Sequence, residues 1–147
     1  MNRERIEKLK RLIAFRERQR DLAAADMEIA RHAEDEAAEK RSRAEKELNE
    51  ELAVCRNAVG TGLFPKDLEL AAQSARWAEV ALHRKEAELA QKKQETDVQR
   101  NKLLESHRKV KQMENLHQRR KKESEREQGL LEQAELDDLA VIREVHQ

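Results

Sequence analysis

Apolar residues recur every seven positions along most of this chain, at alternating spacings of three and four. One series runs Ile6, Ile13, Arg20, Met27, Glu34, Arg41, Leu48. Its companion runs Leu9, Arg16, Ala23, Ala30, Ala37, Ala44, Glu51. Two residues per heptad on one helix face make a coiled-coil seam, here a sparse one. Alanine permits close helix approach and buries little apolar area. After Leu48 the apolar spacing shifts to Leu52, Cys55 and Val59, which predicts a four-residue stutter that locally unwinds the supercoil. A second stretch repeats the pattern. Leu82, Leu89, Thr96, Leu103, Val110, His117 form one series, and Ala78, Lys85, Lys92, Gln99, Ser106, Met113 form the other. Lysine stems at Lys85 and Lys92 can cover apolar surface while their charges reach water.

Between the two patterns lies RNAVGTGLFPKD, Arg56 to Asp67, with two of the three glycines and the only proline. Gly60 and Gly62 permit backbone angles that a helix does not hold. Pro65 suits the first turn of a new helix, and Asp67 complements that N-terminus. The chain is expected to reverse here. The predicted fold is all-α: a single coiled-coil domain over 1–147, an elongated antiparallel two-helix hairpin. Its first arm covers 3–58, its turn 59–64 and its second arm 65–146. Leu63 and Phe64 either seal the tip internally or form a docking site.

The arms differ in length. At 1.5 Å per residue the first spans roughly 84 Å and the second roughly 120 Å. The end of the second should protrude past the start of the first. That end, LLEQAELDDLAVIREV, is apolar for an overhang. Leu130, Leu131, Ala134, Leu136, Leu139, Val141, Ile142 and Val145 are its candidate protein-binding residues. Leu131, Ala134, Asp138, Val141 and Val145 share one stripe, and Leu136, Leu139 and Ile142 spread the apolar surface around the helix. Gly129 weakens the helix just before this segment. The competing expectation is that the stripe folds back on the first arm or mediates self-association.

Composition sharpens this picture. Of 147 residues, 31 are Lys or Arg and 31 are Asp or Glu, and aromatics make up only 2 %. Such a chain cannot build a large globular core and favours long exposed helices. No apolar run is long enough to span a membrane, and the opening MNRERIEKLKRLIAF has no hydrophobic segment followed by a cleavage site, so neither membrane insertion nor a secretory signal is expected. The single Cys55 supports no disulfide framework and is read as a small buried hydrophobe. GTG lacks the following Gly-Lys and Ser or Thr of a phosphate loop. His32, His83, His107, His117 and His146 make no compact metal motif. Glu135, Asp137 and Asp138 come with no pocket-forming sequence. No catalytic residue, metal or cofactor is expected, and the protein is not read as an enzyme. The basic run Arg119, Arg120, Lys121, Lys122 raises a nucleic-acid-associated adaptor as one alternative, and a general coiled-coil scaffold is another.

The stretch KVKQMENLHQRRKKESEREQGLLEQAELDDLAVIR, Lys109 to Arg143, resembles the stalk proteins of bacterial type III secretion, the flagellar FliJ and injectisome YscO type. A lysine and a glutamate flank an apolar position, here Lys111, Met113, Glu114 and Leu116, with Met113 where an aromatic residue is often found. A charged stretch follows, then Glu135, Leu136, Asp137, Asp138, Leu139, Ala140 and Arg143. The start, with Ile6, Leu9, Ile13, Arg16 and Arg18, also resembles the family. The resemblance implies a cytoplasmic hairpin, peripherally associated with the membrane export apparatus. It implies a stalk, itself no ATPase, that couples the type III secretion ATPase ring to the cytoplasmic domain of the export gate, with secretion chaperones as further partners. AELDDLAVIR and the long charged helices lean towards the injectisome branch.

Overall fold

A computed structural model of the chain describes residues 2–61 and 65–146. It holds two α-helices that pack antiparallel: α1, Asn2–Thr61, and α2, Pro65–His146. The predicted all-α hairpin class is therefore observed. Leu63 and Phe64 lie outside the described residues. α1 continues three residues past the expected end of the first arm. Val59 and Gly60 are helical, and a Cβ at Gly60 would meet no neighbouring atom. Glycine lowers helix propensity without forbidding the conformation. Pro65 stands at the first position of α2, where its missing N–H costs nothing, and Asp67 lies in the first turn.

The chain forms two compact units, Met1–Leu22 with Leu104–Gln147, and Ala23–Leu103. In the second unit the cross-helix contacts fix the antiparallel sense. The Thr96 hydroxyl lies 3.3 Å from the Ala30 carbonyl and 3.0 Å from that of Lys92, so it donates to either. Further along α1, Arg41 Nη2 lies 3.6 Å from Glu86 Oε1, while its Nη1 donates to Glu45 Oε2 at 3.0 Å. Partner numbers on α2 fall as α1 numbers rise. Lys85 and Lys92 are half-buried and turn their ammonium groups to Glu88 and Glu95, at 3.4 and 3.3 Å.

Buried apolar residues of this unit are Ala37, Ala44, Ala58 and Ala75. Four methyl groups supply little transfer free energy, about 0.8 kcal/mol per buried carbon at most. The other unit buries Leu9 and Val110. No side chain among the described residues is fully buried. Such a seam gives modest stability, because ordering long helices costs entropy that a thin core barely offsets.

The predicted stutter is not observed. Cys55 and Ala58 continue the two seven-residue series, half-buried and 4 % exposed respectively. Leu52 and Val59, placed on the shifted seam by their size, are turned outward, with Leu52 41 % exposed. Register follows the uninterrupted heptad because the preceding alanines already define a close-approach face, and two isolated aliphatics cannot rotate it. The expected consequence is asymmetric. Leu52→Gln should change stability by less than about 0.5 kcal/mol. Ala58→Gln should cost roughly 1–3 kcal/mol through overpacking and burial of an amide. Thermal melts followed by far-ultraviolet circular dichroism check both. A stutter would give the reverse order.

A candidate docking surface at the end of α2

The unit built from both chain ends contains the surface. Leu9 and Val110 are its buried anchors, and Arg5, Ile6, Leu116, Arg119, Arg120, Glu123, Ser124 and Glu127 line a groove of about 480 Å³ where α1 begins. Ser124 is the last sheltered position of α2. Every described residue from Glu125 to His146 is exposed. α2 passes unbroken through Gly129, where a Cβ would meet only open space. Gly129 thus lowers helix propensity without interrupting the helix. At 1.5 Å per residue this unpaired stretch is about 33 Å long.

Its pattern belongs to the seam. The series through Val110, His117 and Ser124 continues at Leu131, Asp138 and Val145, and the series through Met113 continues at Ala134 and Val141. The face that meets α1 lower down therefore runs on with no helix against it among the described residues. Leu131 is 66 % exposed and Val145 76 %. Val141 is exposed on that face too, and Leu130, Leu136, Leu139 and Ile142 are exposed on other sides of the same helix. Apolar surface of this extent on a solvated helix calls for a partner. Its rim is acidic: Glu125 to His146 carries seven Asp or Glu against two Arg.

The basic run does not make a separate site. Arg119, Arg120, Lys121 and Lys122 are all exposed, and the groove that Arg119 and Arg120 line also takes Glu123 and Glu127. Its charge is mixed, unlike the one-signed stripe that follows phosphates. Among the described residues no group of three or more His, Cys, Asp or Glu could hold a metal ion. No described helix is long and apolar enough to cross a membrane.

The structure also shows apolar positions that the sequence reading passed over. In the first unit Leu12, Phe15 and Leu22 lie exposed on the outer side of α1, and the Arg16 guanidinium sits 5.9 Å from the Phe15 ring centroid. In the second, Leu70, Trp77 and Val80 are exposed on α2. A signal was present for each. Phe15 and Leu22 are seven apart, as are Leu70 and Trp77, on a face offset from the seam by two positions.

A family comparison supplies what geometry alone does not. The model of the FliJ family, described as flagellar FliJ protein, matches residues 5–147. The chain belongs to the FliJ family. No curated protein and no solved structure matches it. The match runs through both helices and the whole unpaired end of α2 of this FliJ-family chain. Membership and the antiparallel helix pair support a general role in flagellar or type III export. The matching description is the flagellar one, whereas the sequence pattern leaned towards the injectisome branch.

Proposed function

We propose that this protein is the stalk of a flagellar-type export apparatus, peripherally associated with it on the cytoplasmic side. The unpaired end of α2 enters the ring of the export ATPase, and the protein couples that ring to the cytoplasmic domain of the export gate. Secretion chaperones are further partners. The observation that supports this reading is the continuation of the α2 seam, through Leu131, Ala134, Val141 and Val145, on a stretch of helix with nothing packed against it among the described residues. A helix apolar on several sides suits insertion between several protein surfaces, as a ring lumen offers. Leu136, Leu139 and Ile142 supply the other sides. Docking would stabilise a thin-seamed fold by mass action, because the ring binds only the ordered form. Leu63 and Phe64 are kept as candidate gate-facing contacts on sequence grounds alone.

The test is reconstitution. The full chain is mixed with purified export ATPase and, separately, with the gate's cytoplasmic domain, and binding is measured by calorimetry. Association with the ATPase supports the stalk, and association with the gate domain supports the coupling. Failure to bind the ATPase under conditions where it assembles would overturn the reading.

A further inference from the structure

We propose that, away from any ring, a second copy of this chain covers the unpaired end of α2. Its outer stripe Leu12, Phe15 and Leu22 on α1 receives that end, and the two copies do this reciprocally. Each copy therefore donates one helix end and accepts one.

Three observations carry this. The first is charge. The stripe lies on the segment Arg3–Leu22, which holds eight Lys or Arg against four Asp or Glu. The end of α2 holds seven acidic residues against two basic ones. The net values are opposite in sign, four positive and five negative. Two α2 ends pairing with each other would instead bring two acidic helices together, which is repulsive. The second is register. Leu12, Phe15, Gln19 and Leu22 follow the same three-four spacing as Leu131, Ala134, Asp138 and Val141. Set parallel, Leu131 meets Leu12, the small Ala134 meets the large Phe15, and Val141 meets Leu22. The flanking Glu135 then lies beside the exposed Arg11, as charges flank a coiled-coil seam. The third is reach. α2 is an unbroken helix to His146, so it cannot turn back onto the stripe of its own chain.

The size is adequate. A helix end about 33 Å long and about 10 Å wide covers roughly 300 Å² on each side of a contact. Two reciprocal contacts bury roughly 1,200 Å² in all, at the lower edge of the range of specific interfaces. The dimer and the ring compete for the same residues, so dimerisation withholds the docking end until an ATPase displaces it.

Sedimentation equilibrium of the full chain, with no ATPase present, tests this. Three proteins are compared: the wild type, the overhang variant Leu131→Glu/Val141→Glu, and the stripe variant Phe15→Glu/Leu22→Glu. All four positions are exposed, and circular dichroism checks that helicity is retained. The wild type should be a dimer whose dissociation constant rises at least about tenfold between low and high salt. Each variant alone should be monomeric. An equimolar mixture of the two should form a heterodimer, weaker than the wild type, because one good end still meets one good stripe. A monomeric wild type, a stripe variant that dimerises normally, or a mixture that stays monomeric would each overturn the proposal. Because the experiment contains no ATPase, its failure leaves the ring-docking reading standing. Conversely, failure of ATPase binding leaves the dimer standing.

Discussion

Removing the residues after Gly129 should abolish binding to the export ATPase while leaving the melting temperature within a few degrees of the full chain. Both halves of that result follow from the same observation. No described residue from Glu125 onward is sheltered by α1, so the deletion removes no described intramolecular contact of the seam. It does remove Leu130, Leu131, Leu136, Leu139, Val141, Ile142 and Val145 at once. A large aliphatic side chain contributes about 1.5–3 kcal/mol when it goes from exposed to fully buried. Association costs consume much of that sum. Even so, a surviving share of about 2.7 kcal/mol is a hundredfold in affinity. Calorimetry should register a loss of at least that size. Unchanged ATPase binding would remove the docking assignment, whatever happened to stability.

The second large effect concerns the fold. Val110 is only 3 % exposed, the most sheltered aliphatic in the described chain, and with Leu9 it anchors the unit that carries the exposed end of α2. Val110→Asp places a charge in that seam with no designed partner. Breaking or mispairing a buried charge costs about 3–5 kcal/mol. A thin seam has little to spare, so a fall of roughly 10 °C in melting temperature is expected. Leu104→Gln, at an exposed position of the same unit, is the control and should shift the melt by only a degree or two. A Val110→Asp protein that melts like the control would mean that α1 and α2 do not pack through Val110.

How much of this could be read from the residues depends on the feature. The seven-residue seam was legible because helical periodicity is a one-dimensional signal. All fourteen residues of the first two series named from Ile6 to Glu51 are at least partly sheltered. The break between helices was legible from Pro65, whose missing N–H selects a first turn. The stutter was misread because size was weighed over register. Leu52 is larger than Ala53 or Ala58, yet the face is set by the run Ala23, Ala30, Ala37, Ala44, and Ala58 follows it. The helical state of Gly60 was misread for a related reason: glycine permits a turn but does not impose one. At the end of α2, the apolar residues were plain in the sequence, and helical spacing sets their stripe. That this stripe is the seam itself, continued past α1, required knowing where shelter stops, at Ser124. The outer stripe Leu12, Phe15, Leu22 was overlooked because a heptad search stops at the strongest seam and leaves a second, offset repeat unread.

The most direct measurement is a cysteine scan along the end of α2, in a Cys55→Ala background, cross-linked in the presence of excess assembled ATPase. Single cysteines are placed from Leu130 to Val145 and adducts are resolved by mass. Docking of this helix predicts adducts to ATPase subunits throughout that stretch, while a control cysteine at the exposed Val98 gives none. An end that yields no more ATPase adduct than Val98 would contradict the account.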